Sequence, residues 1–238
     1  MIALAALPLY AGDFHFDTTT QQEFRIFSRI VGQGIFATPV QPARAGGIVT
    51  FDAGVAATAV SVDTNASYWK HAVSGDITTS GYIALPRIVV AKGFGFVTVS
   101  AIYAKINKTG AKVIGGALDV PIIRGTLATP ELALRGSYST LTGVDLFKEK
   151  TYGLEAFLSK GFGPLTPYVA VGRQRTNATG RGTLPPVLGV APTFMLHDTS
   201  DFNRITLGVR LSLFLPKIVI EATQGQVRSY AAKVSIGL

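Results

Sequence analysis

Residues 202–214 constrain the fold of this chain more than any other stretch. Between positions 203 and 213 one parity carries Ile205, Leu207, Val209, Leu211 and Leu213, and the other carries Arg204, Thr206, Arg210 and Ser212. Successive side chains of a strand point to opposite faces, so this is a strand with one apolar and one charged face. A soluble sandwich can contain one such strand. Here the pattern returns along nearly the whole chain from about residue 48 onward. Hydrophobic residues make up 47% of the 238 positions and the mean hydropathy is +0.35. Yet no run of about eighteen apolar residues exists to form a spanning helix. High hydrophobicity without such a run is what strands facing lipid on one side produce.

Ten strands are expected, at about 48–62, 81–91, 94–106, 111–123, 131–141, 150–159, 166–176, 202–214, 217–223 and 229–238. The fold class is therefore all-β: an antiparallel up-and-down transmembrane β-barrel of about ten strands, preceded by a short amphipathic helix. The connections after the second, sixth and eighth strands are tight, and those after the first and seventh are long. That alternation places the long loops outside the cell and both termini on the periplasmic side. Ala91-Lys92-Gly93-Phe94-Gly95 and Ser159-Lys160-Gly161-Phe162-Gly163 mark two of the tight turns. Each supplies glycine for the turn, a lysine for the headgroups and a phenylalanine for an interfacial girdle.

Three segments follow: 1–11, 12–47 and the barrel at 48–238. Met1 to Ala11 reads as the apolar part of a secretory signal without a basic start, and its removal on export is expected. In the extension, Thr20 and Glu23 form a capping box. Phe24, Phe27, Ile30 and Val31 follow at helical spacing, Arg25 and Arg29 lie elsewhere on the wheel, and Gly32 can end the helix. A helix at about 20–31 results. It either lies at the membrane surface or plugs the barrel.

Charge on a lipid-facing side chain costs about 2–4 kcal/mol at mid-membrane. The charges on strands must therefore point inward. The acids so placed are Asp52, Asp119, Glu131, Glu155 and Glu221; the bases are Arg87, Arg135, Arg204, Arg210 and Lys233. They balance, as a paired electrostatic core would require, or they line a selective water path. Gly54, Ala56, Thr58, Ala170 and Gly172 on luminal faces leave space for the helix or for a narrow pore.

The net charge is +8. Its bases are scattered singly, without a basic run interleaved with aromatics, which excludes a nucleic-acid surface. Lys105, Lys108, Lys112, Lys148, Lys150, Arg173 and Arg175 gather at the loop-bearing end, where phosphorylated lipopolysaccharide would be the partner. Outer-membrane lipid is thus an expected contact. The chain has no cysteine, and His15, His71 and His197 do not sit at metal-ligand spacing, so no metal or cofactor is expected. Asn65-Ala66-Ser67, Asn107-Lys108-Thr109 and Asn177-Ala178-Thr179 read as polar turn residues.

On these strands, residues 48–238 resemble the bacterial outer-membrane β-barrel superfamily that includes small OmpA-like, OmpX-like and OmpW-like proteins. Tyr230, Ala232, Val234, Ile236 and Leu238 keep the alternation of such a terminal strand, with Leu238 in place of the usual aromatic. The resemblance implies a bacterial outer-membrane location, contact with the barrel-assembly machinery, and a non-enzymatic envelope role. A narrow channel for small polar or amphiphilic solutes is the alternative. A more remote one is a rim hydrolase, since some ten-strand barrels are proteases with Asp and His at the extracellular rim; His197, Asp198 and Asp201, placed in the long seventh loop, would serve. A soluble lipocalin-like binder is the competing fold.

Overall fold

The computed structural model describes residues 14–43, 47–74, 81–106, 110–126, 128–186 and 191–237. Helix α1 (Gln21–Ile35) precedes strand β1 (Phe51–Ser61), and a single turn of helix, α2 (Ser67–Lys70), leads to β2 (Tyr82–Gly93). Then come β3 (Thr98–Lys105), β4 (Lys112–Ile123), β5 (Glu131–Thr142), β6 (Phe147–Ser159), β7 (Leu165–Thr183), β8 (Thr193–Ser212), β9 (Pro216–Gln224) and β10 (Arg228–Gly237). Each strand pairs antiparallel with its sequence neighbours, and β1 closes on β10 from Asp52 opposite Gly237 to Val60 opposite Ser229. The result is a closed up-and-down barrel of ten strands. Closure gives each strand a paired neighbour on both sides, which is how a sheet satisfies its backbone groups in hydrocarbon.

The outer surface is apolar. Val55, Ile88, Leu118, Leu154, Val171, Leu207, Ile220 and Val234 stand exposed around the wall, an arrangement that water does not tolerate and lipid does. Aromatic residues bound the belt. Phe94, Phe96, Phe162 and Phe214 lie exposed at the tight-turn end, and Tyr103, Tyr138, Tyr152 and Tyr230 toward the other. At about 3.3 Å per residue, the path from Tyr152 to Phe162 is roughly 33 Å, or about 25 Å across a bilayer once tilted by about 40°. The barrel therefore crosses a membrane.

Two strands run well beyond their expected ends. β7 continues to Thr183 and β8 begins at Thr193. The supposed seventh loop is thus a tall hairpin, and His197, Asp198 and Asp201 lie on β8 rather than in a loop. Asn177, read as a turn residue, is likewise within β7. The reason is physical: above the girdle the outer face meets water, so apolar alternation stops although the strand does not.

The N-terminal segment threads the lumen lengthwise. Phe14 bridges to Val73 and stacks on Phe147, at the rim that carries the β1–β2 and β5–β6 connections. α1 descends from there, and Gln41 reaches Lys233 and Arg135 nearer the tight-turn end. The helix extends past Gly32 to Ile35. A Cβ at Gly32 would meet the Glu149 carboxylate at 2.6 Å and Thr176 at 2.7 Å, so close approach to the wall, not helix termination, calls for glycine there. Both termini were expected on the tight-turn side. Gly237 is there, but Phe14, the first described residue, stands at the opposite rim. The expected signal segment lies outside the described residues.

The chain has no native cysteine, so single probes can test this threading. In cells displaying the barrel, a membrane-impermeant maleimide should label Gln22→Cys or Ala128→Cys from outside, but not both. Labelling of both from one side would contradict a lumen threaded from rim to rim.

Candidate functional site: the occupied lumen

Inward side chains and the threaded segment form three layers. At the loop-bearing end, Phe14, Phe16, Phe24, Phe27 and Phe147 pack ring against ring at centroid distances of 5.4–6.0 Å, with Trp69 on Phe27. Val60, Val62, Leu85, Ile106, Val113, Leu141 and Leu196 complete this core. The mouth is closed by apolar packing.

Mid-barrel, α1 ends inside the wall and its last carbonyls need donors. Arg87 of β2 gives one guanidinium N–H to the Phe36 carbonyl at 2.8 Å and another to that of Gly34 at 2.7 Å. The Gln174 carboxamide donates to Gly32 O at 2.8 Å, and the Ser139 hydroxyl to Ile35 O at 2.7 Å. Arg204 lies 3.8 Å over the Phe36 ring. Two cations thus sit at the negative end of the helix dipole. Glu155 and Gln174 hold Arg204 in place. Higher up, Asp198 accepts from Ser28 at 3.1 Å and pairs with Arg25 and Arg29.

Below, the segment runs on through residues 36–43. Thr38 donates to Glu221, which also accepts from the Tyr168 hydroxyl at 2.6 Å. Arg135 grips both oxygens of Asp119, at 2.6 and 2.9 Å, reaches the Gln41 carbonyl, and covers Phe157. Lys233 joins the Gln41 side chain at 2.8 Å to Asp52 at 3.0 Å, and Asp52 also accepts from Ser235 and pairs with Lys217.

Of the residues collected from the sequence, Asp52 meets Lys233, Asp119 meets Arg135, and Glu155 meets Arg204. Arg87 and Glu221 instead hold the threaded segment. Arg210 is half-buried and donates to Thr166, and Glu131 is half-buried at the start of β5. Phe24, Phe27 and Ile30 are buried in the aromatic core, with Val31 packed against it. Sequence reasoning missed Glu149, Gln174, Tyr168 and Gln41, and it placed Asp198 in a rim loop, not against the helix inside the wall. Glu149 was lost by starting its strand at Lys150; its parity with Thr151 and Glu155 was the available signal.

His197 and Asp198 are neighbours on β8 and point to opposite faces, the first exposed and the second buried. They form no catalytic pair. Lys105, Lys112, Lys148, Lys150, Arg173 and Arg175 are all exposed on outward faces of β3, β4, β6 and β7, whereas Lys108 lies outside the described residues. Lys105 stands directly opposite Lys112 in the ladder, a like-charge pairing that is unfavourable by itself.

At the mouth, Thr20 and Glu23 complete the capping box, and Glu23 reaches His71 at 3.1 Å. Burial pushes the Glu23 carboxyl up, but hydrogen bonds from the Thr20 backbone and from Ser67, His71 and the Thr20 hydroxyl outweigh it and bring it down to about 2.

No protein-family profile matches this chain, and no curated protein matches its sequence. Among solved structures it is similar to the N-terminal β-barrel domain of Pseudomonas aeruginosa OprF, at 12% identity and TM-score 0.36, over 81% of this chain and 98% of that one. Neisserial surface protein A matches at 11% identity and TM-score 0.32, over 79% and 96%. Ail, the attachment invasion locus protein of Yersinia pestis, matches at 12% identity and TM-score 0.30, over 79% and 95%.

Two outcomes are expected. Arg87→Met strips the donors from Gly34 and Phe36, and unfolding in micelles should show a loss of about 2–3 kcal/mol, with faster trypsin cleavage at Arg25 and Arg29. Unchanged protease protection would show that Arg87 does not hold the helix. A carboxyl lowered in the folded state stabilises above its unfolded value, and that contribution disappears as pH falls through the folded one. The protection of the amides at residues 20–24, taken relative to the exchange rate of an unstructured chain at the same pH, should therefore fall as pH drops from about 4.5 toward about 2. In Glu23→Gln that pH dependence should be absent; if it persists, another group is responsible.

Proposed function

We propose that this chain is an integral protein of a bacterial outer membrane with a non-enzymatic structural or surface-interaction role, its lumen closed by its own N-terminal segment. The observation that carries this reading is the continuous filling of the barrel by residues 14–43. An aromatic core closes one end, and Arg87, Arg135, Glu221 and Lys233 grip the segment below it. The outward bases on β3, β4, β6 and β7 favour contact with phosphorylated lipid such as lipopolysaccharide. Delivery by the barrel-assembly machinery follows from the same reading. In it the extension at 12–47 acts as the plug and 48–238 as the barrel.

A second reading is a narrow channel for small polar or amphiphilic solutes, gated by the segment. It is favoured by the polar character of the lower lumen. Gly32, Gly34, Ile35, Phe36 and Gln41 are held there largely through hydrogen bonds that water could replace. Withdrawal of the segment would leave Asp52, Arg87, Arg135, Glu155, Arg204, Glu221 and Lys233 around a path that admits water.

Planar-bilayer recording separates the two. The full-length protein should insert without conductance. Deletion of residues 14–36 should give steady channels, and Arg87→Met brief openings. Steady current through the full-length protein would overturn the closed lumen. Silence of both altered forms, each verified as folded, would remove the gated-channel reading and leave the closed structural barrel.

A further inference from the structure

The tall β7–β8 hairpin leaves a sheet edge open. β9 stops at Gln224, opposite Ile205, while β8 continues upward to Thr193, paired along that length with β7 alone. Residue parity shows which groups lie on the free edge. The Thr183 N–H turns away from β8 and donates to Asp17, so its partner Thr193 faces away from β7 as well. The His197 carbonyl is also free of β7 and accepts from the Gln21 carboxamide. In a strand the N–H and C=O of one residue point to the same edge, and alternate residues point to opposite edges. Met195, Thr199, Asp201 and Asn203 therefore direct their backbone groups outward over β9. Among the described residues nothing pairs with them.

This edge borders a notch. The β9–β10 turn, with exposed Arg228, forms its floor. Its back wall is the face of α1 not covered by strands, where Gln22, Arg25 and Ile26 are exposed. The Arg25 side chain is 52% exposed and that of Arg29 is 30% exposed, although the Nε of each also faces Asp198, at 3.4 and 3.7 Å. Asp198, the acid these arginines share, is already engaged by Ser28. Asp201 turns to the outer face, toward Arg173. The notch thus combines an unpaired strand edge with a surplus of positive charge.

We propose that this notch docks an extended, acidic segment of another protein, which adds as a strand to the free edge of β8 and sets its carboxylates against Arg25, Arg29 and Arg228. Exposed edges template strand addition, in which the main chain supplies affinity and alternate side chains specificity. A second copy cannot make the antiparallel pairing. Two barrels inserted the same way in one membrane carry β8 in the same sense relative to the bilayer, and antiparallel edge pairing needs opposite senses. A lipid headgroup matches the charge but offers no repeating N–H and C=O groups to the edge.

The test uses the full chain in detergent micelles and a fluorescent synthetic peptide in which glutamate alternates with valine. Binding is read by anisotropy. The peptide should bind, and its lysine and proline-interrupted counterparts should not. Arg25→Gln with Arg29→Gln should weaken binding about tenfold. Thr199→Pro and Asn203→Pro each delete one edge N–H without touching the β7 ladder, and each should weaken binding, whereas Thr199→Val should not. Unfolding curves verify that every variant keeps the barrel. Equal binding of the proline-interrupted peptide, or indifference to both proline variants, would overturn strand addition. Equal binding of the lysine peptide would overturn the acidic partner. If the glutamate peptide fails while phosphatidylglycerol vesicles bind in a manner dependent on Arg25 and Arg29, the notch is a headgroup site and the proposal falls.

Discussion

A helix that ends inside a membrane barrel has no water for its last carbonyls, and in this protein that constraint organises the lumen. Unsatisfied backbone groups at that depth cost several kcal/mol each. The wall answers with donors from separate strands: Arg87 from β2, Ser139 from β5 and Gln174 from β7. Each must reach a particular carbonyl, so the depth and rotation of α1 are tied to the register of those strands. Arg204 over Phe36 and Arg87 beneath the C-terminus add positive charge where the helix dipole is negative. Glu155 then follows as the counter-charge that lets Arg204 stay buried.

The same logic explains why so many charges stay in a closed interior. Burying an ion pair gains little net stability unless the geometry is good and the remaining valences are filled. Asp119 and Arg135 meet the first condition through a two-point grip, with Gln41 taking a further donor and the Phe157 ring packed against the guanidinium. Lys233 meets it through Asp52 and Gln41. The threaded segment is therefore a partner within the charge network. A ten-strand barrel has more interior volume than one filled by side chains alone, and this chain fills the surplus with its own backbone. Gly153 shows the fit: a Cβ there would overlap the Phe36 ring.

Within the lipid belt the sequence was easy to read. Ile205, Leu207 and Val209 against Arg204, Thr206 and Arg210 encode two solvents, hydrocarbon and a polar lumen, so parity gives strand and face together. The capping box at Thr20 and Glu23 was equally plain, because its chemistry is local. Legibility failed where one of the two solvents changes. Above the girdle water replaces lipid, and Thr199 and Asp201 look like a loop although they extend β8. Gly32 looked like a helix stop because its real cause, contact with Glu149 and Thr176, is distant in sequence. The sockets for α1 were invisible for the same reason. An inward arginine can be read from parity, but not that Arg87 binds a carbonyl while Arg135 binds Asp119.

The tall hairpin and the threaded helix are best understood as one device. α1 enters from the loop-bearing rim, and its upper turns stand above the level at which β9 and β10 end. An amphipathic helix in that position needs a wall for its apolar side and tolerates water on its polar side. Phe24 and Phe27 face the aromatic core with Phe147, while Gln22, Arg25 and Ile26 remain uncovered. β7 and β8 rise on the side where Asp198 can bind Ser28 and both arginines; on the other side the wall stops. Raising β9 and β10 to the same height would bury Arg25 and Arg29 against sheet with only Asp198 to neutralise them. The uneven rim follows from the charge pattern of the helix it surrounds.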